Sequence, residues 1–206
     1  MTSNNKLFPI IIDDNKLVDK LLTDDIGSYS ITRPKEANII SKLIQSKFGT
    51  NNIVITDATA GVGGNVLSFS HYFNYVHAIE IDQLRVNYLI NNLSIYKRSN
   101  VCVYNNDMLK IIFTLKQDVI FIDPPWGGKD YKMKTNIRLQ ISNIDIEQIC
   151  NMIMDNKCTK LIVIKLPLNY DMEYLKNMIN SEIEIYNIKN KMNIIFIAQK
   201  NEFLIV

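Results

Sequence analysis

The stretch NIVITDATAGVGGN, residues 52–65, decides the fold. Its first half is apolar with almost no alternation, the pattern of a strand buried on both faces of a parallel sheet. It then runs into Gly61, Gly63 and Gly64 before a helix-period segment begins at Asn65. A glycine turn that carries a buried strand into a helix is where open α/β sheets bind nucleotides. Glycine there takes positive φ and lets a ligand approach the backbone closely. The dinucleotide fingerprint G-x-G-x-x-G would need glycine at position 66, where Val66 stands, so that match is incomplete.

Working outward, strand-like apolar runs fall at 52–56, 75–81, 101–104, 118–122, 161–166, 182–188 and 193–198. The first five are nearly continuous, as expected of strands buried on both faces. Helix-period segments lie between them at 65–72, 83–96, 108–115, 144–154 and 172–180, and a helix over 34–48 opens on Pro34. This alternation predicts a doubly wound α/β sheet. The last two runs follow one another directly and predict a hairpin that brings one antiparallel strand into a seven-stranded, mostly parallel sheet.

Composition narrows the function. The 206 residues carry 23 Lys plus Arg against 21 Asp plus Glu, a formal charge of +2. So small an excess argues against gripping long nucleic acid and leaves any anionic ligand to a local patch. Cys102, Cys150 and Cys158 are odd in number and lack C-x-x-C spacing, which predicts neither disulfides nor a zinc site, and an intracellular setting. The apolar run near the N-terminus is too short for a signal sequence, and no run of 18 apolar residues occurs elsewhere, so no membrane association is expected. Of only 7 glycines, five lie in two clusters: the turn above, and Gly127 with Gly128.

Around the first cluster, three acids stand at successive strand ends. Glu80 suits two ribose hydroxyls and Asp107 the adenine amino group, which together describe an adenosine ligand. Asp57 ends the first strand. It would repel a pyrophosphate but welcome a sulfonium and an ammonium, which favours S-adenosylmethionine over a nicotinamide cofactor.

The second cluster is DPPWGGKDY, residues 123–131. Two prolines remove amide donors and leave carbonyls free to accept, with the Asp123 carboxylate beside them. Acceptors at a strand end near a methyl donor are what an exocyclic amine needs for alignment. Trp126, the single tryptophan, is followed by glycines that free its ring to stack on a base, more strongly on a cationic one. His71 and His77 read as structural.

Together, DATAGVGGN with AIEID and DPPWGGKDY resemble the trimethylguanosine synthases, class I S-adenosylmethionine-dependent methyltransferases that modify N2 of the 7-methylguanosine cap. SYSITRPKEANII and LPLN (166–169) extend the likeness from about Gly27 to the C-terminus. The resemblance implies a Rossmann-like domain over 49–206 and a short N-terminal helical extension over 1–48 that contributes to the substrate site. It implies that Asp57, Gly61, Gly63, Asn65, Glu80 and Asp107 bind the cofactor. Asp123, Pro124 and Trp126 would carry catalysis, with Ser30, Thr32, Tyr131, Lys129 and Lys165 lining the cap site, and no metal ligand. Three departures stand out: Asp123 where serine is frequent, Leu168 in place of an arginine expected at the cap phosphates, and an additional Arg33. Arg33, Lys165 or the run Lys129, Lys132, Lys134 and Arg138 would supply the missing charge.

The expected function is methyl transfer to N2 of the cap of 7-methylguanosine-capped RNA by a monomer. The expected setting is nuclear or cytoplasmic, and the AT-rich style of composition, with the compact length, suits a gene of a virus or a parasite. The rival readings are an amino methyltransferase acting on adenine N6 or guanine N2 within RNA or DNA, and a cap-binding module without catalysis.

Overall fold

A computed structural model describes residues 6–9 and 15–199; the apolar run at 10–12 and the two ends of the chain lie outside the described residues. The chain packs as two compact units, Met1–Ile112 and Phe113–Val206.

The first unit opens with a 3-10 turn, Asn15–Lys20, followed by α1 (Asp25–Ser30), α2 (Pro34–Phe48), β1 (Val54–Asp57), α3 (Gly64–Tyr72), β2 (Tyr75–Glu80), α4 (Gln83–Ile95), β3 (Val101–Asn105) and α5 (Met108–Ile111). Pro34 occupies the first turn of α2, where its missing N–H is no loss, and Gly49 ends the helix at φ 62°. Strands β1 and β2 pair in parallel with Asp57 opposite Ala78, and β2 pairs in parallel with β3, Glu80 opposite Asn105. Helices α2 and α3 pack against one another, and Ile40 and Ile44 of α2 and Val66 and Phe69 of α3 are fully buried. Burying each such side chain is worth about 1.5–3 kcal/mol. A Ser41–Ser68 hydroxyl pair at 2.7 Å satisfies the polar atoms between those helices.

The second unit carries β4 (Val119–Ile122), a 3-10 turn (Lys129–Met133), β5 (Gln140–Ile141), β6 (Ile144–Asp145), α6 (Ile146–Asp155), β7 (Leu161–Pro167), α7 (Met172–Met178), β8 (Glu182–Ile188) and β9 (Met192–Ala198). Strand β4 pairs in parallel with β7, whereas β9 runs antiparallel to both β7 and β8. Every residue of β4 and β7 is buried. The seven strands β1–β4 and β7–β9 belong to one α/β sheet, mostly parallel with β9 as its one antiparallel strand, as expected from the sequence. Strands β5 and β6 form a separate small ribbon.

Several expectations change. The run at 101–104 is not buried on both faces: β3 stands at the sheet edge and is only half-buried. The helix expected over 108–115 stops at Ile111. The segment 144–154 is not a single helix, because Ser142 and Asn143 take φ of 50° and 63° and turn the chain into the β5–β6 ribbon before α6 begins. Helix α1 was not anticipated. Its six residues include Gly27, but Asp24 caps it by accepting a hydrogen bond from the Gly27 amide. Among the described residues, no helix is long and apolar enough to cross a membrane.

Candidate active site

In the first unit the cofactor-type residues converge at the C-terminal ends of β1, β2 and β3. Gly61 and Gly63 take φ of +54° and +104°, as the turn after β1 requires. A Cβ on Gly61 would meet nothing within 4 Å, so the backbone there is open to a close approach. Glu80, 6% exposed, braces this turn: Oε2 accepts from the Gly61 amide at 2.7 Å and Oε1 from the Asp82 amide at 2.9 Å. Asp57 is 1% exposed, and its Oδ1 accepts from the Thr59 amide at 3.2 Å. Asp107 caps α5 by accepting from the Leu109 amide at 3.0 Å.

The N-terminal segment is tied to the same turn. Thr32 is buried, and its Oγ1 accepts from Asn65 Nδ2 at 3.0 Å. A Cβ on Gly64 would stand 2.8 Å from the Thr32 carbonyl oxygen, so only glycine lets the chain cross the start of α3 this closely. Ser30 is placed differently from its expected role: it is exposed, and its hydroxyl donates to the Ile26 carbonyl at 2.8 Å. Sequence reasoning missed two side chains that hold the segment. Asn92, wholly buried, accepts from the Leu22 amide and donates to the carbonyls of Leu22 and Val62, all at 2.9–3.0 Å. Arg85 reaches Asp24 at 3.1 Å. The signal for Asn92 was a polar residue on the stripe Val86, Leu89 and Leu93, where only an apolar one packs without a partner.

Two buried polar atoms point to ligand chemistry. Asn65 Oδ1 and the Trp126 Nε1 donor are both buried with no hydrogen-bond partner among the described residues. Leaving such a group unsatisfied costs about 1–3 kcal/mol, so a bound partner or water is the ordinary remedy. An open glycine backbone, buried Asp57 and Glu80, and an acceptor on Asn65 lacking a donor suit the ammonium and hydroxyls of S-adenosylmethionine.

The second unit holds the acceptor-type residues. Pro124 is buried and Asp123 half-buried where β4 ends. Trp126 is half-exposed, with Tyr131 edge-on at 5.0 Å between ring centroids. Gly127 and Gly128 follow Trp126 at φ of 85° and 83°, a conformation that favours glycine. Burial raises the Tyr131 phenol above its ordinary pKa, keeping it a donor at neutral pH. Asn169 of the LPLN segment, also missed as a functional residue, donates to the carbonyls of Tyr131 at 2.7 Å and Lys134 at 2.6 Å, pinning the loop after Trp126.

The basic residues separate into distinct roles. Lys129, Lys132 and Lys134 are exposed. Arg138 is engaged by Asp145 at 2.5 Å and lies over the Tyr174 ring at 3.7 Å. Hydrogen bonds from Gln140 and Arg138 hold the Asp145 carboxyl below the usual carboxylate range. Arg33 donates to the Lys6 carbonyl at 3.2 Å. Lys165 is only 4% exposed; its ammonium lies 2.6 Å from Asp123 Oδ2 and 4.9 Å from the Trp126 ring centroid. Leu168 is 45% exposed.

Comparison with known proteins places the chain in a family. A family model described as RNA cap guanine-N2 methyltransferase matches residues 52–205. Protein L320 of Acanthamoeba polyphaga mimivirus is 42% identical over 94% of this chain and 84% of its own length. The trimethylguanosine synthase of Schizosaccharomyces pombe is 33% identical over 52% of this chain, which spans 46% of that protein. Among solved structures, a T. thermophilus 16S rRNA N2 methyltransferase in complex with AdoMet and guanosine superposes with a TM-score of 0.61, at 14% identity, over 80% of this chain and 43% of that one.

Proposed function

This chain belongs to the RNA cap guanine-N2 methyltransferase family, and we propose that it transfers methyl from S-adenosylmethionine to N2 of a 7-methylguanosine cap on RNA. Its fold is that of the S-adenosylmethionine-dependent methyltransferases. The observation that carries the reading is Trp126: the single indole follows Asp123 and two prolines at the end of β4, half-exposed and with an unpartnered buried N–H. A ring so placed offers a stacking surface for a flat base, worth about 1–3 kcal/mol per base, and more for a cationic one.

In this reading Asp57 and Asn65 hold the amino-acid end of the cofactor, Glu80 the ribose and Asp107 the adenine side, over the open backbone of Gly61 and Gly63. The cofactor supplies an electrophilic methyl group on a sulfonium. Trp126 stacks on the 7-methylguanine, and Asp123 with the Pro124 carbonyl accepts hydrogen bonds from the exocyclic amine, turning the N2 lone pair toward the methyl carbon. As the N2–CH3 bond forms, the S–CH3 bond breaks and its electron pair stays on sulfur. Asp123 receives the proton that N2 loses and passes it to water. Alignment supplies most of the acceleration.

Thr32, Tyr131 and Lys129 belong to the cap site, with Ser30 joining if its hydroxyl leaves the Ile26 carbonyl; residues 1–48 thus contribute to substrate binding and 49–206 form the catalytic domain. In this reading the enzyme acts on capped RNA as a monomer; a viral origin is consistent with the mimivirus relative. The test is methyl transfer from labelled S-adenosylmethionine to a 7-methylguanosine cap dinucleotide, an unmethylated cap and an adenine-containing RNA. Label confined to the 7-methylated cap is expected; label on adenine or on internal guanine overturns the reading, and cap binding with no label leaves a binding module.

A further inference from the structure

Lys165 stands beside a carboxylate. Pairing of Ile122 with Ile164 brings Asp123, the residue that follows β4, next to Lys165 of β7. The ammonium is withdrawn from solvent, at 4% exposure, against one carboxylate oxygen of Asp123 at 2.6 Å and over the indole of Trp126 at 4.9 Å. Its stem is locked by flanking strands: Lys165 opposes Ile194 of β9, and β7 and β9 are buried along nearly their whole length.

We propose that Lys165 is a positioning residue for the acceptor, fixing the Asp123 carboxylate and the Trp126 ring in one arrangement and cancelling the charge that Asp123 brings to the acceptor site. This rests on the reading of Asp123 and Trp126 given above. The physical reason is that one group touches both. A half-buried carboxylate at a strand end can turn about its side chain, and an indole after two prolines and before two glycines has little backbone to brace it. The buried ammonium holds each of them. Its bond to Oδ2 sets the rotation of the carboxylate, so the direction of Oδ1 is set too. Its seat over the ring leaves the opposite face to a stacked base. A cation on one face weakens the pull of the ring on a second cation, and the Asp123 charge offsets this. The site as a whole is neutral, so recognition of the base rests on stacking and hydrogen bonds rather than on bare charge.

Removing the ammonium therefore has an unusual signature. Lys165→Met leaves a negative site that holds cationic 7-methylguanine no less tightly, but with its amine misaligned. For Lys165→Met we expect kcat on the 7-methylated cap to fall about tenfold or more, with KM for the cap unchanged or lower. Lys165→Arg should recover part of the kcat, since it keeps the charge. The ligand-free protein gives a second readout: Trp126 is the single tryptophan, so loss of the ammonium should change its emission directly. Because Lys165→Met removes the ammonium beside a half-buried carboxylate and threatens folding, Asp123→Asn/Lys165→Met serves as a folded control, expected to unfold near the wild-type temperature with kcat still low.

Three outcomes overturn the proposal: unchanged kcat and emission in folded Lys165→Met; a raised KM with kcat preserved, growing from 7-methylguanosine monophosphate to the triphosphate, which would make Lys165 a phosphate ligand; or wild-type kcat in the double variant. Failure of the parent reading looks different, since the wild-type protein itself would then not methylate the 7-methylated cap.

Discussion

Glu80 Oε2 accepts a hydrogen bond from the Gly61 amide at 2.7 Å, so the carboxylate that ends β2 supports the glycine turn that ends β1. The residue we propose for the ribose thus also braces the backbone of the glycine turn. Glu80→Ala should weaken S-adenosylmethionine binding and lower stability by about 1–3 kcal/mol, because two part-buried amides lose their acceptor. Isothermal titration with cofactor and thermal unfolding check both effects. Cap-analogue quenching of Trp126 should persist, and unchanged cofactor affinity would remove Glu80 from the site.

Trp126→Ala should abolish cap methylation while cofactor affinity stays near wild type, measured by titration. Trp126→Phe, with a smaller stacking face, should retain part of the activity with a raised KM for the cap. Collapse of cofactor affinity in either variant would make the indole a structural plug.

Gly64 and Gly49 separate two uses of glycine. Gly64→Ala drives a Cβ to 2.5 Å from Ile31 and 2.8 Å from the Thr32 carbonyl, so it should cost about 1–3 kcal/mol and reduce methylation through displacement of Thr32. Gly49→Ala faces open space at φ +62°; it should cost only about 1 kcal/mol and leave activity intact. Thermal unfolding beside a methylation assay distinguishes them.

Asn169→Ala removes the two bonds that pin Tyr131 and Lys134. The expected result is a several-fold higher KM for capped RNA, with cofactor affinity unchanged, because the loop bearing Tyr131 loses its anchor. A Trp126 fluorescence titration with cap analogue should show the same loss; equal loss of cofactor binding would contradict it.

Salt dependence sorts the basic residues. Replacing Lys129, Lys132 and Lys134 together should weaken capped-RNA binding and flatten its dependence on salt, since a protein that neutralises fewer phosphates releases fewer counterions on binding. Arg138→Ala should leave that slope unchanged, because its guanidinium is engaged by Asp145 and Tyr174. An equal effect from Arg138→Ala would place it on the phosphates.

Much of this was legible in one dimension. Strand β4 is a run of four apolar residues that ends at Asp123, and both the run and the acid can be read directly. Positive φ at Gly61, Gly63, Gly127 and Gly128 follows from residue type and position. Other features were hidden for identifiable reasons. Helix α1 is short and contains glycine, so no apolar period announces it; the Asn92 and Arg85 side chains that clamp its start come from far along the chain. The β5–β6 ribbon hid behind residues that also satisfy a helix period, and only Ser142–Asn143 marked the turn.

By itself the sequence determined that most of the parallel strands are buried and which residues end them, and hence that a glycine turn, a set of acids and the single indole lie at strand ends, because burial and turn geometry are largely local properties of residue type. Only the tertiary structure decided the partners. Lys165 meets Asp123, Arg138 meets Tyr174, and Asn65 meets Thr32 because sheet order and helix packing bring distant segments together. A lysine reads identically in sequence whether or not a carboxylate stands beside it; that Lys165 lies against Asp123 is a property of the fold alone.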